Sequence, residues 1–338
     1  MRLVTYTPEH FPLVARLAAS ARGARSLGHR PFVDHYYASR DWCRLLLAFD
    51  RRGEVSGAIG IEEIPFEHAG RPLTLACGSN LVAVQPGTGG LLFWHWVRSH
   101  DLTCVFGGGA ETHRLTERQR WTYFHGIRTL RLNRPYVVRA GDAWWRAAAK
   151  RVAAALPGVD VARRARAVAG AVEAIEEPEA TEDMLPATTP FTFRMRPTVA
   201  YLNWRYGTGL SFVRYRCFRL RTERTRGYVI VNDKPDAILV AQADADDPAL
   251  LAAGILAAVG RVAAEGGARR EVLLTCAHAE MLAALRAFGF RPDPGERRLA
   301  IGSARGTVDL PADTSRWLIN FDWIDNGLRA PFRDQTDP

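Results

Sequence analysis

The sequence predicts an α/β protein built as two tandem units, each a mixed, mostly antiparallel sheet flanked by helices. Three observations lead there. Short apolar runs of strand length alternate with amphipathic helical patterns along the 338 residues. A glycine-rich turn, Gln85-Pro-Gly-Thr-Gly-Gly90, passes from a strand straight into a helix. From about Thr198 the same order of elements begins again, the mark of an internal repeat.

In the first copy the patterns predict strands over 2–6, 43–49 and 55–65 and a helix over 11–21, with the Arg51-Arg-Gly53 turn before the third strand. The stretch 79–98 is then strand, glycine turn and amphipathic helix. Gly87, Gly89 and Gly90 carry no Cβ, so the backbone can turn tightly there and aim several N–H groups one way. The helix adds its own unpaired amides and the positive end of its dipole, and together these make a seat for a phosphate or pyrophosphate. A plain strand-to-helix turn is the alternative. A strand over 102–106, a helix over 115–125 and, past Gly126, a strand over 127–138 complete the unit.

A connector follows. It has an Ala-, Arg- and Trp-rich helix over 143–156 and a second helix over 162–175. Then comes the acidic run Glu176-Glu-Pro-Glu-Ala-Thr-Glu-Asp183, which reads as a solvated linker. One unit is therefore expected at 1–140, the connector at 141–190 and the second unit at 191–338. In that second unit the patterns predict a helix over 197–206 and strands over 215–220, 227–231 and 237–243. A helix over 247–265, a strand over 271–276, a helix over 278–288 and a strand over 297–302 close it.

Gly289-Phe290 echoes Gly126-Ile127 as the glycine-broken end of a helix, and Leu-Thr-Cys triplets at 102–104 and 274–276 precede both. Asp244-Ala-Asp-Asp-Pro248 stands where the second copy would need its glycine turn. Carboxylates there would repel a pyrophosphate, so ligand binding is expected in the first copy alone.

The net charge of +9 is carried almost wholly by Arg, with Lys only at Lys150 and Lys234, as in the proteins of GC-rich bacterial genomes. Arg163-Arg164 and the basic run over 214–226 lack the interleaved aromatics of a single-strand binder. An anionic cofactor is the expected partner of such a surface, and a nucleic acid is not. No run approaches the roughly 18 apolar residues of a membrane span, and the N-terminus lacks the apolar stretch of a signal peptide. A cytoplasmic address with no membrane partner is the expectation. Five scattered cysteines without a Cys-x-x-Cys pair read as buried free thiols, and nine histidines without ligand spacing suggest no metal. His95, between Trp94 and Trp96, reads as a packed side chain.

The order of elements, with Gln85–Gly90 in its place, resembles the GNAT superfamily of acyl-CoA N-acyltransferases. That family's signature is Gln/Arg-x-x-Gly-x-Gly/Ala between the fourth strand and the third helix, and this chain is one residue short before the first glycine. Tyr201-Leu-Asn-Trp-Arg-Tyr206 is similar to an element opening the second half of tandem GNAT-like chains from bacterial biosynthetic clusters. The resemblance implies acetyl-CoA or another acyl-CoA as co-substrate, with Gln85, Gly87, Thr88, Gly89 and Gly90 at the pyrophosphate. It also implies Val82 and Val84 as the backbone positions that pair with pantetheine, and an amine of a small molecule or sugar as acceptor. The family's acid, a tyrosine five residues before the Phe of the Gly-Phe break, would fall on Thr122, with Tyr123 one position later and Leu285 in the second copy.

Acyl transfer needs a deprotonated amine, a polarised carbonyl and a protonated leaving thiolate. Glu62 and Glu63 lie on the third strand, where alternation turns one inward and the other outward, and the inward one is a candidate base. Ser79 and Asn80 orienting a water are the alternative. A Fem-like transferase drawing its acyl group from charged tRNA, and a non-catalytic GNAT-like binding protein, are the competing functional readings.

Overall fold

The computed structural model describes residues 1–21, 24–133, 138, 141–154, 161–222, 226–265, 270–304, 306, 308–320, 322 and 332–335. The chain opens with β1 (Arg2–Thr5), α1 (Phe11–Ser20), α2 (Arg30–Ala38), β2 (Cys43–Phe49), β3 (Val55–His68) and β4 (Arg71–Ala83). It continues through α3 (Thr88–Arg98), β5 (Leu102–Phe106), α4 (Ala110–Arg118), β6 (Thr122–Phe124) and β7 (Arg128–Leu132). Helices α5 (Trp144–Ala154) and α6 (Val161–Arg166) lead to β8 (Glu173–Glu177), β9 (Phe193–Met195), α7 (Val199–Arg205), β10 (Tyr215–Arg221) and β11 (Gly227–Asp233). The last elements are β12 (Ala237–Ala245), α8 (Pro248–Glu265), β13 (Glu271–Cys276), α9 (Ala279–Ala287), β14 (Arg291–Pro292) and β15 (Leu299–Ser303).

Two sheets result. The first runs β1-β2-β3-β4-β5-β15-β6, with β9 on the far end of β3, and the second runs β14-β7-β13-β12-β11-β10-β8. Among the strands of the described residues, β4–β5 and β12–β13 pair in parallel and the other strand pairs are antiparallel. The halves exchange a strand. β15, from the end of the chain, fills the first sheet between β5 and β6, while β7, from before the connector, fills the second between β13 and β14. A division at residue 140 leaves each sheet with a strand from the other side of the cut.

Three apolar layers hold the sheets. The central one joins the inner faces of both, with Leu45, Leu47 and Phe66 from the first, Tyr215, Cys217 and Ile230 from the second, and Phe32, Tyr36, Tyr37 and Trp204 from α2 and α7. α3 and Trp121 cover the outer face of the first sheet, and α8 and α9 cover that of the second. α8 is long and apolar enough to cross a bilayer, contrary to the sequence expectation, but its buried Leu251, Ile255, Val259 and Val262 pack in the second-sheet core.

Several elements depart from their predicted bounds. The strand over 127–138 is seen as β7, and positions 134–137 lie outside the described residues, as do 155–156 of the predicted connector helix. The expected helix over 162–175 stops at Arg166. α2 was not anticipated; the His29 side chain caps it by accepting the Phe32 N–H at 3.3 Å, with Pro31 in its first turn.

The acidic run is not all linker: its first two residues, Glu176 and Glu177, end a strand. β8 pairs with β10, where Glu176 meets Arg216, Glu177 meets Arg219 at 2.8 Å, and Glu173 meets Arg221, so cross-strand charge pairing holds these carboxylates in the sheet. His95 is exposed, not packed. All five cysteines are buried free thiols, and the Cys77 and Cys104 sulfurs lie 2.6 Å apart on β4 and β5.

Asp244 is not at a helix start but at the end of β12, buried and bonded to Arg194 Nη1 at 2.5 Å. Asp247 instead caps α8, accepting the Leu250 N–H at 2.7 Å. Burial outweighs Arg194 and pushes the Asp244 carboxyl up to about 7. A carboxyl raised on folding binds its proton more tightly in the native state, so its contribution to stability falls as pH rises from the ordinary value of 3.8 towards 7. Denaturant titrations across that window should show a falling slope that Asp244→Asn reduces; an unchanged slope would assign the titration elsewhere.

Candidate functional site

The site begins with an irregular β4. Gly60 faces Ser79 and Ala58 faces Val82, so β4 carries one extra residue, with Asn80 in the left-handed region at φ 48°. β4 and β5 pair only at Ala76–Thr103 and Cys77–Cys104, while β4 runs on to Ala83. Beyond Cys77 the two parallel strands part, and no described residue forms a backbone bond to the β5-side edge of β4 there.

That edge leads to the glycine turn. Gly87 caps α3 at φ 83°, a conformation that disfavours side chains. The Thr88 N–H reaches the Gln85 carbonyl at 3.3 Å and the Leu91 N–H the Gly87 carbonyl at 3.0 Å, with the amides of Gly89 and Gly90 between them in the first turn. A Cβ on Gly87 or Gly90 would meet open space, and one on Gly89 only Ala83 at 3.5 Å. The side chains of Gln85 and Thr88 turn away. Gln85 donates to Asp50 at 3.0 Å, pinning the turn to the β2–β3 loop, and Thr88 is buried with its methyl against Gly57.

Val84 does not offer its amide to the open edge. Its N–H goes to the Ser56 carbonyl at 2.9 Å, on the β3 side, and strand alternation turns the Val82 N–H the same way. By the same alternation the Ala83 amide is presented to the gap.

On the inner face of the first sheet, Ser79 and Asn80 meet α2. Asn80 donates to the Tyr37 hydroxyl at 2.8 Å and accepts from Ser26 at 3.1 Å, and Ser79 Oγ lies 3.5 Å from Tyr37 Oη. Tyr37 also lines a cavity of about 400 Å³ with Tyr6, Arg40, Asp41, Cys43 and Arg44.

Glu62 points inward and Glu63 outward. Glu63 is half-exposed, 3.1 Å from Arg44 and 3.4 Å from His100. Glu62 is buried, accepting from Tyr36, Tyr201 and, at 2.9 Å, Arg205 Nη1. Arg205 also donates to the Asp322 carbonyl at 2.9 Å, and Tyr215 to the Asp322 carboxylate at 3.0 Å. Burial, with Glu62 beside it, pushes the Tyr201 phenol well above its ordinary range, so it stays a donor. Glu62 is thus the centre of a buried ion network joining β3 to α7, with three donors already on its carboxylate.

Tyr123 lies on β6, not on a helix. α4 ends earlier than predicted, because Arg120 at φ 56°, not Gly126, makes the break. Its closing bonds, Gln119 to Leu115, Arg120 to Glu117 and Trp121 to Thr116, repeat in α9 as Phe288 to Ala284, Gly289 to Arg286 and Phe290 to Leu285. Trp121 therefore matches Phe290, and the Leu-Thr-Cys triplets are not structural equivalents. The helix position five before Trp121 is Thr116, and the Tyr123 hydroxyl reaches its Oγ1 at 2.6 Å from the strand.

The second sheet repeats the irregular strand and the parting. β12 bulges opposite Ile230–Val231 and pairs with β13 only over Ala237–Leu239. That gap is filled from within. Asn320 accepts the Ala243 N–H at 3.1 Å and donates to the Ala243 carbonyl at 3.2 Å, Asp322 N–H reaches Ala241, and Thr275 holds the Ile319 carbonyl at 3.0 Å. Sequence reasoning missed this segment, which has no strand pattern of its own.

Two mostly antiparallel sheets flanked by helices, each with a bulged strand parting from a parallel neighbour, are consistent with GNAT-like folds. Many solved structures are similar, and three serve as examples. A conserved protein of unknown function from Enterococcus faecalis, described as a candidate N-acyltransferase, is 8% identical over 89% of this chain and 72% of its own, with a TM-score of 0.54. A GCN5-related N-acetyltransferase from Anabaena variabilis is 9% identical over 89% and 72%, with a TM-score of 0.52. A candidate acetyltransferase from Pyrococcus horikoshii is 11% identical over 94% of both chains, with a TM-score of 0.51. No family model and no curated protein matches the sequence.

Proposed function

We propose that the chain is an acyl-CoA-dependent N-acyltransferase with one acyl-CoA site, in the first sheet. One observation carries this reading: the open edge of β4 runs into a glycine turn with free first-turn amides, whereas the matching gap in β12 is filled by Asn320. The pyrophosphate sits on the amides of Gly89 and Gly90 at the positive end of α3. Pantetheine and the thioester carbonyl lie along the end of β4, where the Ala83 amide stabilises the oxyanion as the amine attacks. The acceptor, an amine of a small molecule or sugar, approaches from the inner face, where Asn80, Ser79 and Tyr37 orient it and the water that takes its proton. The C–N bond forms, the C–S bond breaks, and the CoA thiolate regains a proton from water or from Tyr123. Glu62 acts as a positioning residue, holding Tyr36 and through it the helix that carries Tyr37.

Calorimetry with acetyl-CoA should give one site per chain, lost on Gly89→Glu, since a carboxylate there fills and repels the phosphate seat. A ligand at about 100 times its dissociation constant adds roughly 2.7 kcal/mol of stability, so a thermal shift reports the same event. Two sites, or binding that survives Gly89→Glu, would refute the placement. No binding at all would favour the non-catalytic reading.

A further inference from the structure

α5 is the one long helix that contributes no side chain to the apolar layers among the described residues. Its apolar groups face outward instead: Trp144 is 83% exposed, Val152 70% and Trp145 53%. Trp204 and Trp317, by contrast, are buried. At about 100° per residue, Trp144, Ala148 and Val152 form one line and Trp145 and Ala149 a second beside it. Arg146 flanks this strip on one side, its guanidinium 4.9 Å from the Trp145 ring, and Arg151 flanks it on the other. Lys150 turns towards the body and is held by Asp142 at 2.7 Å. The helix contains no acid.

We propose that α5 docks the protein onto an anionic phospholipid surface. An apolar strip with tryptophans, edged on both sides by arginines, matches the boundary between acyl chains and acidic headgroups, where Trp rings and guanidinium groups each find a partner. Arginines edging the strip would face arginines if a second copy of the helix packed against it, so self-association is disfavoured by like charge. The net charge of +9 adds long-range attraction to such a surface. The expectation of no membrane partner was drawn from spanning segments, and an interfacial helix does not span. This docking is independent of the acyl-transfer reading.

Co-sedimentation of the full chain with vesicles tests it, comparing phosphatidylcholine alone with phosphatidylcholine mixed with phosphatidylglycerol. Binding should be at least about tenfold stronger to the anionic vesicles and fall about tenfold in Trp144→Ser/Trp145→Ser and in Arg146→Glu/Arg151→Glu. Both variants change exposed side chains, and their thermal melts should match the parent. Absent binding, equal binding to both vesicles, or binding unchanged in the tryptophan variant would overturn the proposal. A concentration-dependent dimer abolished by Trp144→Ser/Trp145→Ser would overturn it in favour of a second copy.

Discussion

Replacing Arg205 with Met should destabilise the protein by about 3–5 kcal/mol, the cost typical of stranding a buried charge by removing its partner. Arg205 is fully buried between Glu62 on β3 and Asp322 beside the second sheet, and its loss removes a buried cation from beside both carboxylates. Its guanidinium also lies 5.0 Å from the Tyr36 ring and 5.4 Å from the Tyr206 ring, contacts that a thioether reproduces only in part. Glu62→Gln should cost less, because Asp322 still faces the cation and the amide oxygen still accepts from one of the two tyrosines, which bond different carboxylate oxygens. Chemical denaturation at neutral pH measures both. If Arg205→Met shifts stability by less than about 1 kcal/mol, the network is not what couples α7 to β3. Should Glu62→Gln slow acyl transfer without changing stability, Glu62 would be the base after all.

The parts of the site that were legible in the sequence are local. Glycines at 87, 89 and 90, set between an apolar run and a helical pattern, can specify their turn without help from the rest of the chain. Alternation separates the two glutamates without saying which is buried, since a strand's period does not depend on what packs against it; the fold turns Glu62 inward and Glu63 outward. What was not legible depends on partners far along the chain. The acids of β8 look solvated until Arg216, Arg219 and Arg221 are set opposite them. The end of α4 was placed at Gly126 because glycine is the usual left-handed residue, yet Arg120 adopts that conformation and Trp121 anchors it against Phe93 and Trp96. α2 escaped notice because Phe32, Tyr36 and Tyr37 sit among Arg, His and Asp, a weak apolar face until the central layer covers it.

Separating the halves should be ruinous, and the reason lies in the strand exchange. A 1–185 fragment lacks β15, whose Leu299, Ala300 and Ile301 are fully buried between β5 and β6, and it leaves β7 without β13 and β14. Both flanks of the gap would expose unpaired backbone edges, and the inner face of the first sheet would lose the Tyr201, Trp204 and Trp317 side chains that cover it. Substitution cannot easily repair this. Gly302 on β15 must stay a glycine, because a Cβ there would fall 2.3 Å from the Trp121 ring. The fragment is therefore expected to aggregate and to melt without a cooperative transition, while co-expression with residues 186–338 should restore a soluble one-to-one complex. Size-exclusion chromatography and thermal circular dichroism distinguish the outcomes. A monomeric 1–185 fragment that unfolds cooperatively and keeps full acetyl-CoA affinity would show that the first sheet can close without its borrowed strand.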